Sequence, residues 1–192
     1  MAIEYSEPPP AVIHPDIARL PDLDDDCGPA PIPDEPARLA ALHGLRVLDT
    51  VREEEFDGLT RWAVEHFGVP IALVSLVDAE RQWFKSACNL DVPETPRDVA
   101  FCNYTILSSR PTVVEDAFAD PRFCNNPLVL GEPHVRFYAG APIIMPEGYA
   151  IGTFCLVDRK PRCFSTTDRY TLRQLAALSV ERLLERRARM TG

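Results

Sequence analysis

Two apolar stretches joined by a turn dominate the pattern of hydrophobic and polar positions in this chain. Residues 137–145 and 149–157 are almost continuously apolar and rich in β-forming side chains. The Pro-Glu-Gly sequence between them favours a tight turn. The pattern predicts a hairpin of two buried strands. A similar pattern at residues 69–77 and 82–88 predicts a second hairpin upstream.

Two glycines interrupt the strands of the later hairpin. Gly140 and Gly152 lack a side chain to pack, which weakens a strand unless something must approach the backbone closely. A bulge or a close packing contact explains them, and so does direct contact with a ligand. The sequence leaves these explanations open.

Helices are predicted at the beginning and at the end of the domain. Leucines recur at helical spacing over residues 37–48, and Thr50 with Glu53 fits a capping box that opens a second helix ending at Gly68. A last helix is predicted over residues 166–190, with a basic end that complements the helix dipole.

The middle of the chain is less regular. Asp98 is expected to cap a short helix that reaches Leu107, and residues 112–115 predict a brief strand. Residues 116–136 include Asp120-Pro121 and Asn126-Pro127, which interrupt regular structure, and connections of this length are often functional. We expect this segment to be a lid. The order of elements predicts an α+β fold with an antiparallel sheet.

The charge of the chain is concentrated at its start. Residues 1–36 hold nine acidic residues and one arginine, which accounts for −8 of the formal net charge of −9. The same segment holds nine of the 19 prolines, so we expect an extended or disordered arm ahead of a domain at residues 37–190.

Composition excludes several classes of protein. The acidic balance and the lack of a basic stripe argue against nucleic-acid binding. The sequence shows neither a secretory signal nor an apolar run long enough for a bilayer, so a cytoplasmic protein without membrane contact is expected. The six cysteines form no Cys-x-x-Cys pair, and the histidines lie far from ligand spacing, which argues against a zinc site. Disulfides are not expected without export.

Several segments, in order, resemble the GAF domain family, and in particular the GAF sensor domains of bacterial histidine kinases and diguanylate cyclases. The matching segments are RLAALHGLRVLDT, FDGLTRWAVEHFGVPIALVSLVDAERQWFKS, AFCNYTIL, VVEDAFADPRFCNNPLV, FYAGAPI and GTFCLVDRKPR. The resemblance implies a PAS-related central antiparallel sheet of about six strands, with helices on one face and a lid on the other. It also implies a small-molecule pocket beneath the lid and terminal helices that pair in a homodimer.

The ligand and any cofactor stay unknown, because GAF domains serve cyclic nucleotides, bilins, haem and small metabolites. The pocket implied by the resemblance nominates residues from the covering helix, the lid and the inner strands, namely Phe101, Cys102, Asp116, Arg136, Tyr138 and Cys155. The two aromatic residues also fit an ordinary core, and Arg136 fits an ion pair with Asp116 or Asp120 equally well.

Two further residues are candidates for a partner interface. Trp83 and Phe84 are neighbours on one strand, so their rings should face opposite sides and one should lie near solvent. We therefore expect Trp83 at an interface, and Leu183 in a last helix that transmits a ligand signal.

Cysteine chemistry supplies the alternatives. Free methionine-R-sulfoxide reductases share this fold, and the resemblance puts Cys88, Cys102 and Cys124 in places broadly comparable to the cysteines of those enzymes. However, Cys155 and Val157 occupy positions where those enzymes carry acidic residues. A bilin photoreceptor would also need a histidine beside Cys102, where Asn103 stands. A thiol redox sensor based on Cys102 stays open.

The function expected from the sequence is therefore a sensory GAF module that is not an enzyme. The chain stops at Gly192 without a kinase or cyclase, so we expect it to signal in trans to a separate protein.

Overall fold

The computed structural model describes Asp16 and residues 31–191. Its strands are β1 (Ile71–Val77), β2 (Arg81–Cys88), β3 (Glu94–Pro96), β4 (Thr112–Val114), β5 (Phe137–Ile144) and β6 (Ala150–Asp158). They form one six-stranded sheet in the order β3-β2-β1-β6-β5-β4, and every neighbouring pair is antiparallel. The predicted α+β fold and both predicted hairpins are confirmed. Most of the predicted arm at residues 1–36 lies outside the described residues.

The helices are α1 (Glu35–Gly44), α2 (Glu54–Phe67), α3 (Cys102–Thr105), α4 (Pro127–Leu130) and α5 (Thr166–Thr191). A 3₁₀ turn at Arg97–Val99 precedes α3, where the sequence predicts one continuous helix. Within the described part of the chain, no helix is long and apolar enough to cross a membrane.

Local hydrogen bonds explain where the long helices begin and end. The Asp34 carboxylate accepts the Ala37 N–H at 3.0 Å and caps α1. Ser165 and Asp168 bond reciprocally at the start of α5, as a capping box does. The capping box predicted for α2 is wrong, because the Thr50 hydroxyl donates to the Val47 carbonyl at 2.7 Å instead.

Both faces of the central strands are buried. Every residue of β1 and of β6 is buried, and alternate side chains point into two separate apolar cores. Helices α1, α2 and α5 contribute to the first core. The second core lies on the opposite face, where α3, α4 and the segment at residues 116–136 cover the sheet.

The residues predicted at a partner interface are buried within the single chain. Trp83 is 6% exposed and lies in the core on the helix side, whereas Phe84 is 7% exposed and faces the other core. The two rings do face opposite sides, but the expectation that one lies near solvent is wrong. Leu183 is 1% exposed and packs in the helix-side core. Trp83 and Leu183 therefore both pack their side chains into the helix-side core of the single chain.

The two strand glycines are required by close packing. A Cβ atom on Gly152 would lie 2.1 Å from the Ser75 carbonyl oxygen of the neighbouring strand. A Cβ on Gly140 would lie 2.2 Å from the hydroxyl oxygen of Tyr138, two residues earlier on the same strand. Gly152 therefore permits β1 and β6 to pair, and Gly140 leaves room for the Tyr138 ring.

We predict that Gly152→Ala lowers the free energy of unfolding by at least about 2 kcal/mol, because the added methyl group meets a backbone atom that cannot move alone. Gly58→Ala is the matched control, since a Cβ at Gly58 on helix α2 makes only ordinary contact. That change is expected to stabilise the protein by roughly 0.5–1 kcal/mol. Urea unfolding followed by circular dichroism measures both values, and equal stability of the two variants would contradict the prediction.

Candidate functional site

A cavity of about 450 Å³ lies between the sheet and the segment that covers its second face. Strand residues form its floor, and these are Ile71, Leu73, Gln82, Phe84, Tyr138, Cys155 and Val157. The loop at residues 89–92, strand β3 and the start of α3 form one side, and Leu128, Pro133 and Val135 form the cover. The wall is largely apolar, with charged residues at Asp91, Glu94, Glu132 and Arg159. This combination of apolar wall and few polar groups is typical of small-molecule sites.

Packing and hydrogen bonds hold the covering segment in place. Phe123 is fully buried, and its ring stacks on Phe101 with centroids 4.1 Å apart. The Asn126 side chain accepts the Leu128 N–H at 2.8 Å, which caps α4, and donates to the Val99 carbonyl at 2.9 Å. The segment predicted as a lid therefore covers the cavity as a packed element with a short helix of its own.

Four of the six predicted ligand residues line the cavity. Phe101, Cys102, Tyr138 and Cys155 all contribute to its wall and are buried. Phe101 and Tyr138 contact each other, with ring centroids 5.2 Å apart. The structure therefore brings together four of the residues that the family resemblance nominated.

Asp116 and Arg136 lie outside the cavity wall and bind each other. Two parallel hydrogen bonds of 2.8 Å join the guanidinium to the carboxylate, and the Arg136 guanidinium also sits 5.0 Å from the Phe118 ring centroid. The guanidinium lowers the pKa of the Asp116 carboxyl. The pair is the structural fork that the sequence offered as the alternative to ligand contact, and its donors are directed at Asp116 instead of at the cavity.

A small polar cluster adjoins the cavity on the sheet side. The Cys102 sulfur lies 2.9 Å from the Thr153 hydroxyl oxygen and 4.0 Å from the Cys155 sulfur, and it accepts a hydrogen bond of 3.4 Å from the Tyr138 hydroxyl. The Tyr138 hydroxyl in turn lies 2.9 Å from the Thr105 hydroxyl. All of these groups are buried, so the cluster is a chain of hydrogen bonds inside an apolar core.

The cluster separates the acidities of its two thiols. Burial raises the pKa of Cys102, but hydrogen bonds from Cys155, Thr153 and Tyr138 outweigh that effect and lower it below the ordinary thiol value. The hydrogen bond to Cys102 and burial both raise the pKa of Cys155. Cys102 is therefore the thiol that carries negative charge more readily, and it faces the cavity.

Two of the other described cysteines are less buried than Cys102. Cys88 and Cys124 are partly exposed, and the Cys124 sulfur contacts the Pro121 carbonyl. The five described cysteines are all free thiols. Among the described residues, no three His, Cys, Asp or Glu side chains are grouped so that they could hold a metal ion.

Gln82 and Thr95 are among the polar residues of the wall that sequence reasoning missed. Both lie on the cavity face of their strands, and Thr95 belongs to β3, which the sequence predicts only as loop. Gln82 stands two residues before the buried Phe84, so strand alternation places it on the same inward face. A polar glutamine on the inward face of a buried strand was therefore the signal from which Gln82 could have been predicted as a wall residue.

The sequence profile of the GAF domain matches residues 51–182. The chain belongs to the GAF domain family. The family predicted from the sequence motifs is therefore confirmed, and the six-stranded antiparallel sheet with its helices agrees with that membership.

One relative is an enzyme. The chain is 45% identical over 129 residues to a cyclic di-GMP phosphodiesterase of Pseudomonas aeruginosa. The matched segment covers 67% of this chain and 22% of that protein. The expectation that this protein is not an enzyme is therefore corrected, because a domain similar to this one forms part of a protein named as a cyclic di-GMP phosphodiesterase. The chain spans about a fifth of that relative's length.

Solved structures share the fold at low sequence identity. The GAF domain of Acinetobacter phosphoenolpyruvate-protein phosphotransferase matches with a TM-score of 0.58 and 18% identity, over 80% of this chain and 96% of that one. The type II free methionine-R-sulfoxide reductase of Thermoplasma acidophilum matches with a TM-score of 0.57 and 15% identity, over 69% and 92%. At these identities the likeness shows the fold and not the activity.

We predict that Tyr138→Phe moves the titration of Cys102 to higher pH by about one unit, because the thiolate loses a hydrogen-bond donor. The ultraviolet absorbance of the thiolate, recorded against pH, measures the shift, and Cys102→Ser identifies which signal belongs to this residue. Tyr149→Phe, which alters a partly buried tyrosine near the β5–β6 turn, is the matched control. The same Cys102 titration in the wild-type protein, Tyr138→Phe and Tyr149→Phe would contradict the prediction.

Proposed function

We propose that this GAF domain is a sensory domain that binds a small, largely apolar molecule in the cavity, and that binding regulates the turnover of cyclic di-GMP. The observation that carries the first part is the cavity of about 450 Å³ with its mainly apolar wall. The second part rests on the 45% identity to a cyclic di-GMP phosphodiesterase across the domain.

Strand β6 supplies a path from the cavity to the helices. Cys155 and Val157 face the cavity, while Phe154 and Leu156 between them belong to the core that α5 packs against. Interiors are close-packed, so a ligand that moves the cavity side of this strand also moves its helix side. In this proposal α5 carries the change to its partner, which is a second copy of the chain or a separate signalling protein.

The proposed cavity site is tested by filling it. We predict that Ala100→Phe weakens binding of the neutral fluorescent probe N-phenyl-1-naphthylamine at least tenfold, because the new ring occupies the space next to Phe101. Ala119→Phe is the matched control, since Ala119 is exposed and lies outside the cavity wall. Fluorescence titration gives the affinities, and native mass spectrometry of freshly purified protein reports any retained small molecule and the subunit number. Equal affinity of the two variants would contradict binding in the cavity.

The regulatory part is tested separately in cells that express this protein. Ala100→Phe is expected to change the cellular concentration of cyclic di-GMP, because the filled cavity holds the domain in one state, and Ala119→Phe is expected to leave it unchanged. Identical concentrations with both variants would contradict regulation of cyclic di-GMP turnover while leaving the cavity site intact.

A further inference from the structure

Two polar atoms in the cavity region have no partner among the residues that the structure describes. They are Oε1 of Gln82 and Oγ1 of Thr95, and both are shielded from solvent. The two residues face each other across the β2–β3 ladder and both contribute to the cavity wall. Gln82 as a whole is only 6% exposed.

Such atoms are costly unless something binds them. A buried acceptor without a donor loses its hydrogen bond to water and so destabilises the folded chain. Buried polar groups in native proteins are hydrogen-bonded in the great majority of cases, so two unpaired oxygens on neighbouring strands at one end of a cavity call for an explanation. A ligand that donates an N–H or O–H group to them supplies it.

The charges around the cavity restrict the ligand further. Asp91, Glu94 and Glu132 contribute three carboxylates to the lining, and Arg159 is its one cationic side chain among the described residues. The Arg159 guanidinium is directed at Glu132 and at the Pro133 carbonyl, which accepts its hydrogen bond at 2.9 Å. The Glu94 carboxylate binds the Arg81 guanidinium at 2.6 Å, so the balance rests on Asp91 and Glu132 against Arg159. A phosphate or carboxylate group would therefore meet net negative charge and no uncommitted cation.

We infer that Gln82 and Thr95 form the polar anchor of the ligand site, and that the ligand is an uncharged or cationic apolar molecule with an N–H or O–H donor. This inference rests on the proposed ligand-binding function and gives the chemical class of the ligand. It also separates the ligand from cyclic di-GMP, whose two phosphates do not suit the acidic lining. The domain then senses one kind of molecule and regulates the turnover of another.

A matched pair of probes isolates the donor. The bicyclic lactam 2-quinolinone has one N–H group, and N-methyl-2-quinolinone replaces it with a methyl group. Sites that hydrogen-bond a ligand discriminate strongly against an analogue that leaves buried polar atoms unpaired. We expect the wild-type protein to bind the N–H lactam at least tenfold more tightly than the N-methyl lactam, as measured by isothermal titration calorimetry.

The chain offers a close control for the anchor. Gln174 is also a buried glutamine whose Oε1 lacks a partner among the described residues, but it lies on α5 and outside the cavity wall. Gln82→Leu is expected to reduce the affinity ratio of the two lactams to near one, whereas Gln174→Leu keeps the ratio of the wild-type protein. Thr95→Val, which preserves shape, serves as a second variant and is expected to reduce the ratio at least threefold.

The outcomes separate the anchor from the cavity site itself. An N–H lactam that binds no better than the N-methyl lactam, or a ratio that survives both Gln82→Leu and Thr95→Val, overturns the anchor while the cavity site stands. Absence of measurable binding by either lactam overturns the anchor as well. Binding of both lactams that is insensitive to Ala100→Phe places them elsewhere and overturns the proposed ligand site together with its anchor.

Discussion

The antiparallel pairing of β1 with β6 is the contact on which the rest of the structure depends. It runs from Ile71 opposite Val157 to Leu76 opposite Gly152, and it joins two local hairpins into one sheet. The central strands become buried on both faces only because of this pairing, and the missing side chain at Gly152 permits it. A sheet with two apolar faces must be covered twice, and the protein covers its two faces by different means.

The helix side is closed by long regular elements, whereas the other side is closed by loops and helices of four residues. Long amphipathic helices fill the space over a sheet continuously, because each turn adds side chains to the same face. Short elements joined by loops must satisfy their own backbone and side-chain hydrogen bonds, as Asn126 does, and they fill space less completely. The cavity and its unpaired polar atoms therefore lie on the loop side of the sheet.

A cluster of three charged side chains links the helices to the sheet on the face opposite the cavity. The Glu53 carboxylate binds the Lys85 ammonium at 2.6 Å and the Arg186 guanidinium at 2.7 Å, which links the start of α2, strand β2 and the end of α5. Burial lowers the pKa of Lys85, whose side chain is fully buried, although Glu53 opposes that effect. For Glu53 burial raises the pKa, and the hydrogen bonds from the two cations outweigh it and lower it. Removing Glu53 would leave the Lys85 ammonium and the Arg186 guanidinium without their carboxylate, so the cluster holds α5 in a defined position relative to the sheet.

The sequence by itself determined the long helices, the two hairpins and the family, because all of these are written in local patterns. Alternation and turn residues predicted the two hairpins, helical spacing predicted α1 and α2, and ordered motifs predicted the GAF domain. Only the tertiary structure decided which side chains share the cavity. It turned Arg136 towards Asp116, buried Trp83, and set Gln82 beside Thr95 on a short edge strand that has no recognisable pattern of its own. Partners far apart in the chain are chosen by packing and hydrogen bonding across the sheet, and no local spacing records that choice.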